Sequence, residues 1–149
     1  MEASMLMTLE ITTIPPELPL EQAHKLMLKL GARHLPVVAG GKLAGIVSDR
    51  DILLKIGQEK DGSFVYPVQT VGEVMALAPI SAGVNASVAE LAKVMISRKI
   101  DAVPIVTRDN ELIGLVTSSD LLTLVSVLPS GSQPTLSFQV RRVGPDARA

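Results

Sequence analysis

Two stretches of this chain combine a hydroxyl with a carboxylate at a fixed spacing. The first reads Gly45-Ile46-Val47-Ser48-Asp49-Arg50-Asp51, the second Gly114-Leu115-Val116-Thr117-Ser118-Ser119-Asp120. Both run Gly, two apolar residues, a hydroxyl residue, two polar residues, Asp. Each falls where a strand pattern gives way to a helix pattern, so Ser48 and Thr117 are expected at a helix start. The first turn of a helix has free backbone N–H groups and the positive end of the helix dipole, which suits an anion. A hydroxyl followed three residues on by an acid also spells a capping box, which needs no ligand. At this point both readings stand.

The elements that hold these stretches repeat. With Pro36 aligned on Pro104, an offset of 68 places Met7 on Met75, Leu20 on Val88, Leu26 on Val94 and Met27 on Met95. One extra turn residue raises the offset to 69, and Gly45, Ser48 and Asp51 then fall on Gly114, Thr117 and Asp120. Two units of about sixty residues share one pattern, the mark of a duplicated supersecondary unit.

In the first unit, residues 5–14 form an irregular lead-in. Pro15, Pro16 and Pro19 hold off helix until about Leu20. Leu20, Ala23, Met27 and Leu30 then recur at helical spacing, and Gly31 stops the helix. The spacing predicts strands over 35–39 and 42–47 around a Gly40-Gly41 turn, and a helix from Ser48 to about Ile56. Residues 58–70 read as a connecting loop, in which Phe64, Val65 and Tyr66 pack locally or form a short extended piece. The second unit opens at Val71-Gly72-Glu73-Val74-Met75. Ser87 and Glu90 predict a capping box ahead of a helix bearing Val88, Leu91, Ala92 and Met95. Strands are expected over 102–106 and 111–116, and a helix from Thr117 to about Leu128. The organisation is therefore 1–57 and 71–128 as repeats, 58–70 as a loop, and 129–149 as a linker with an edge strand over 136–142 and a mobile end. The fold class is α+β: helix–strand–strand–helix twice, each with an extended lead-in, with the two sheets packed on each other to cover apolar surface that one unit leaves open.

Composition narrows the function. The chain of 149 residues is 47% hydrophobic and 19% charged, enough to bury a core. A net charge of −1 gives no field toward nucleic acid or an anionic membrane. Aromatic residues are confined to Phe64, Tyr66 and Phe138, so no base-stacking platform is expected. Cys is absent, which removes disulfides, thiolate metal sites and Cys nucleophiles and fits a reducing cytoplasm. The opening MEASMLM lacks a signal peptide's basic residue and apolar core, and no apolar run approaches membrane-spanning length.

With the repeat in hand, the chain resembles the CBS (cystathionine β-synthase) domain family in two tandem copies, roughly 3–57 and 71–128. The supports are the opening Val71 to Met75, the apolar strands around Pro36 and Pro104, and above all the two Gly-apolar-apolar-Ser/Thr-x-x-Asp ends in register with them. The resemblance implies a compact stand-alone pair with two pseudo-symmetric clefts for an adenosine compound: AMP, ADP, ATP or S-adenosylmethionine. Asp51 and Asp120 would meet the ribose, and Ser48 and Thr117 the phosphate. Arg33, His34, Leu35 and Pro36 with Thr12 and Thr13 would surround the adenine in the first copy. Asp101, Ala102, Val103 and Pro104 with Ile80 and Ser81 would do so in the second. The chemistry agrees: a carboxylate accepts two hydrogen bonds from a diol, and an aliphatic slot holds a flat purine. Gly45 and Gly114 permit close approach of a ligand or a neighbouring backbone.

The copies differ where charge matters. Arg50 precedes Asp51, whereas Ser119 precedes Asp120, so the first cleft is expected to favour a phosphate. His24 reads as a packing or surface residue and His34 as a pocket wall. The methionines read as filler, and Arg141-Arg142 as a solvated strand end. No catalytic constellation or metal-ligand spacing stands out. The expectation is a non-catalytic regulatory module that needs no cofactor and takes an adenosine ligand. It would form a homodimer through the apolar runs at Ile52-Leu53-Leu54 and Leu121-Leu122 with Leu124-Val125, and modulate an unknown protein. The alternative is a ligand-free interaction or scaffold module.

Overall fold

The computed structural model describes residues 1–129; the strand expected over 136–142 and the end beyond it lie outside the described residues. Among the described residues the five α-helices and seven strands include the helix–strand–strand–helix order anticipated for each of two copies of one unit.

In the first repeat, α1 (Leu20–Leu30) buries Leu20, Ala23, His24 and Met27 and ends at Gly31, whose φ of 64° is the left-handed turn that glycine adopts without a steric penalty. The strands β1 (His34–Ala39) and β2 (Lys42–Ser48) pair antiparallel around Gly40-Gly41, with φ of 57° and 75°. These angles are those of a tight primed hairpin turn. Helix α2 spans only Asp49–Leu53, shorter than the apolar run suggests. Past Leu54 the chain closes through turn bonds and enters β3 (Gly57–Gln58), which pairs with β4 (Phe64–Val65). The loop expected over 58–70 thus contains a small hairpin. It brings Phe64 and Tyr66 onto α1, where Tyr66 Oη and His24 Nδ1 lie 2.6 Å apart. That bond and the surrounding rings account for His24, buried among apolar neighbours.

The second repeat follows the same plan. After α3 (Val71–Val74) and β5 (Ala76–Leu77), α4 (Val88–Arg98) starts from a capping box in which the Glu90 N–H donates to Ser87 Oγ at 3.2 Å and the Ser87 N–H donates to Glu90 Oε2 at 3.0 Å. Strands β6 (Ala102–Val106) and β7 (Leu112–Thr117) form the second hairpin, and α5 (Ser118–Val127) closes the unit. Register irregularities fall at matching places, between Val37 and Val38 and between Ile105 and Val106.

The lead-ins are exchanged between the repeats. Val71 packs into the first core with Leu20, Met27, Leu35, Val37, Val47 and Ile52, and β5 pairs with β2 at Ile46↔Ala76. In the mirror arrangement, Ala3 packs into the second core with Leu91, Met95, Val103, Ile105 and Val116, and Thr8 bridges Leu115. Burying Val71 contributes about 1.5–3 kcal/mol, and Ala3 fills the equivalent place in the second core, so each repeat depends on a segment that precedes the other in sequence. The pseudo-symmetry extends to single bonds. Ile14 N–H reaches Pro36 O at 3.1 Å and Ala82 N–H reaches Pro104 O at 3.0 Å. Asp49 N–H reaches Arg33 O, and Ser118 N–H reaches Asp101 O, both at 2.9 Å. The hairpins touch directly as well, through Leu43 N–H to Asn110 O and Asn110 Nδ2 to Leu43 O, each 3.0 Å. Among the described residues no helix is long and apolar enough to cross a membrane.

Candidate functional site

The end of each second strand delivers its hydroxyl and carboxylate to the same local arrangement. At the start of α2 the Ser48 N–H donates to Asp51 Oδ2 at 2.8 Å, and the Asp51 N–H donates to Ser48 Oγ at 3.1 Å. At the start of α5 the Thr117 N–H and hydroxyl both donate to Asp120 Oδ2, at 2.7 and 3.0 Å. The capping reading is therefore realised in both copies. It does not exhaust either carboxylate, since two oxygens offer about four acceptor positions.

What distinguishes the copies is the space in front of them. A cavity of about 670 Å³ opens before the first, with Ser48, Arg50 and Asp51 on its wall. The opposite side comes from the second repeat: Ile80 and Ala76 to Pro79 of the lead-in, and Lys99 to Ala102 at the entry to β6. Leu54, Leu77 and Ile80 present apolar surface to it. A smaller cavity of about 240 Å³ opens before the second copy, lined by Thr117, Ser119, Leu115 and Gly31. Arg33, His34 and Asp101 line both.

Several expected site residues fall elsewhere. Leu35 and Val103 sit inside the two cores, and Pro36 and Pro104 are fully buried, so these four shape the strands rather than the cavity walls. Thr12, Thr13 and Ser81 line neither cavity. Asp120 is also absent from the wall of the smaller one, whereas Asp51, whose carboxylate caps Ser48 in the same way, lines the larger one. The residues grouped by repeat in the sequence are mixed in space. Ile80, Asp101 and Ala102 join Ser48 and Asp51, because the exchanged lead-in carries the second repeat's segment across. The close approach at the two glycines is made by Met75 and the Ala76 backbone at the first and by the Met7 side chain at the second. A Cβ on Gly45 would lie 2.5 Å from Met75 Sδ and 2.7 Å from Ala76 O, and one on Gly114 would collide with Met7 Sδ.

Sequence reasoning missed Asp49, Leu54 and Lys99 as wall residues. Lys99 had a signal: it aligns with Gly31 at the offset of 68 and takes the same left-handed helix end, φ 54°. A lysine there accepts a conformation that usually goes to glycine and places an ammonium group on the larger cavity's wall. The electrostatics of the shared wall are specific. Arg33 Nε lies 3.8 Å from Asp49 Oδ2, a long, largely solvated pair. Burial, with the neighbouring Arg33 charge, holds the His34 imidazole below its ordinary value, against the pull of Asp101, Asp49 and Asp51. Among the described residues no cluster of His, Asp and Glu is placed to hold a metal ion.

A repeated unit with exchanged lead-ins and two clefts at its junction defines a tandem α+β pair. The chain matches the CBS domain over residues 3–57 and 71–127 and belongs to that family. It is 37% identical over 112 residues to the inosine-5′-monophosphate dehydrogenase of Korarchaeum cryptofilum, covering 75% of this chain but only 22% of that enzyme. It is 34% identical over 116 residues to the CBS domain-containing protein YhcV of Bacillus subtilis, covering 77% of this chain and 79% of that protein. The CBS domain pair of protein MJ0100, solved in complex with 5′-methylthioadenosine and S-adenosyl-L-methionine, superposes with a TM-score of 0.72 at 25% identity, over 85% of this chain and 96% of the other.

Proposed function

We propose that this CBS pair is a non-catalytic, cytoplasmic regulatory module that binds an adenosine compound in the larger cleft and transmits its presence to a partner protein. The observation that carries this reading is the composition of that cleft. Hydroxyl, guanidinium and carboxylate from one repeat (Ser48, Arg50, Asp51) face an apolar wall from the other (Leu77, Ile80) across a cavity of about 670 Å³, a size within the range of small-molecule sites. Asp51 is suited to a ribose diol, Ser48 and Arg50 to a phosphate, and the aliphatic wall to a purine. The MJ0100 pair, at 25% identity, holds adenosine compounds, which supports the same class here. Regulation follows by linkage. A ligand touching both repeats stabilises the arrangement in which they close on it, and a partner sensitive to that arrangement feels the difference.

The chain is further proposed to act as a homodimer. Leu53 on α2 and Leu122 on α5 are 47% and 70% exposed and no residue of α5 is buried, which leaves them available as contacts, whereas Ile52 of the anticipated run lies in the first core. The regulated protein would then read the state of a paired module.

Calorimetry and melting with AMP, ADP, ATP and S-adenosylmethionine test the ligand class. We expect at least one to bind and to raise the melting temperature, and Asp51→Ala to weaken it more than Asp120→Ala. If no adenosine compound shifts the wild type at millimolar concentration, the ligand-free scaffold reading replaces this one. If binding survives both substitutions, the site is misplaced.

A further inference from the structure

The wall that separates the two cavities is shared, and its charges are unequal. Arg33, His34 and Asp101 line both cavities. Arg33 and Asp101 are also each other's counterparts in the duplication, at the offset of 68. Each offers its backbone carbonyl to the residue that opens the following helix, Asp49 and Ser118, at 2.9 Å. The backbone role is kept and the side-chain charge is reversed. A symmetric pair would set two arginines at the junction; this chain sets one arginine against one aspartate.

The remaining wall positions put every other charged side chain on the larger cavity alone. Where the larger cavity has Lys99, the smaller has Gly31; where the larger has Arg50, the smaller has Ser119. The larger cavity thus owns two permanent cations, set against two carboxylates of its own, Asp49 and Asp51, whereas the smaller one has neither and depends on Arg33 and Asp101 of the common wall. Burial disfavours the charged form of His34, the third residue of the common wall. The Arg33 guanidinium is held only by the long 3.8 Å pair with Asp49 and is 66% exposed, so little opposes its turning toward a stronger anion. Asp49 itself lines the larger cavity.

We propose, resting on the adenosine reading above, that Arg33 and Asp101 together make the two cavities mutually exclusive for phosphate-bearing ligands. A nucleotide phosphate in the larger cavity, already facing Arg50 and Lys99, draws the Arg33 guanidinium to it. The smaller cavity is then left with the Asp101 carboxylate and no cation, which repels a second phosphate and tolerates a nucleoside whose 5′ substituent is uncharged or cationic. The chain therefore holds one phosphate-bearing ligand at a time, and Asp101 sets the selectivity of the second position.

The test uses AMP as the phosphate probe and adenosine as the uncharged one, titrated calorimetrically at pH 7.5 into wild type, Asp101→Asn, Arg33→Gln and Arg33→Lys. Arg33 and Asp101 are exposed, so the variants should melt with the wild type before ligand is added. The expected pattern is one AMP per chain, and a further equivalent of adenosine bound by the AMP-saturated protein. Asp101→Asn should tighten a second AMP at least about fivefold. Arg33→Gln should weaken the first AMP distinctly more than it weakens adenosine, with Arg33→Lys intermediate. Two AMP molecules bound with equal intrinsic affinity by the wild type would overturn the proposal, as would a second equivalent indifferent to Asp101→Asn. Adenosine binding with either of those results removes this inference alone. Failure of both probes to bind removes it together with the functional reading beneath it.

Discussion

Asp51 and His34 show how one side chain can serve both the fold and the site. Asp51 closes the cap on Ser48 with one oxygen and faces the larger cavity. Its loss in Asp51→Ala therefore acts twice: the cap is worth about 0.5–2 kcal/mol, and the ribose acceptor goes with it. His34 enters the pH dependence of stability. Its folded value is depressed by burial, so between that value and the ordinary 6.5 the unfolded chain binds the proton more readily than the folded one. The stability this provides is present above about pH 6.5 and is lost as the pH falls toward the folded value. Melting temperature should drop as pH is lowered through 6.5, and His34→Gln should remove that part of the slope. An unchanged slope in the variant would assign it to other groups.

At the level of strands and lead-ins, the two glycines at the helix-proximal strands are spacers for the exchanged methionines. They are equivalent in sequence but not in tolerance. At Gly45 a Cβ meets the Ala76 carbonyl oxygen as well as Met75, and β5 is hydrogen-bonded to β2 and cannot easily withdraw. At Gly114 the nearest atoms all belong to the Met7 side chain, which can change rotamer. Gly45→Ala should cost about 1–3 kcal/mol, and Gly114→Ala distinctly less. Trimming the methionine should rescue the second more fully than the first: Gly114→Ala with Met7→Ala should recover most of its loss, whereas Gly45→Ala with Met75→Ala should not. Denaturant unfolding of the four variants measures this, and equal rescue in both pairs would contradict the backbone assignment. The helices, hairpins and turns around these glycines were readable in advance because each has a local cause: Gly31 as a left-handed stop, Gly40-Gly41 as a primed turn, Ser87 with Glu90 as a cap. The short α2 and the small β3–β4 hairpin were not, since pairing between Gly57–Gln58 and Phe64–Val65 overrides the apolar run that suggested a longer helix.

Across the molecule, the exchanged lead-ins make the two repeats a single cooperative object with the clefts at their junction. A ligand in the larger cleft touches both repeats and should raise one common melting transition. Saturation at one hundred times the dissociation constant corresponds to about 2.7 kcal/mol. The proposed homodimer is tested at the same scale. Leu122→Glu places a charge on the exposed face of α5 and should convert the dimer to a monomer in sedimentation, with the melting temperature of the monomeric unit retained. A wild type that is monomeric at micromolar concentration would dismiss the α5 face as the contact.

The sequence alone was sufficient for whatever depends on neighbours in the chain. The duplication at an offset of 68, the two Ser/Thr-to-Asp helix starts and the family likeness all follow from local pattern, because periodicity, turn residues and caps act within a few positions. The distribution of charge between the clefts depends on contacts far apart in sequence. Only the folded chain shows that Ser48 and Asp51 share a cavity with Lys99 and Ile80, that Leu35 and Val103 are core, and that Arg33 stands on the wall of both cavities. The physical reason is the exchange of lead-ins. Each repeat buries a segment that belongs to the other, so the site is assembled from residues whose nearness is set by packing and not by sequence spacing.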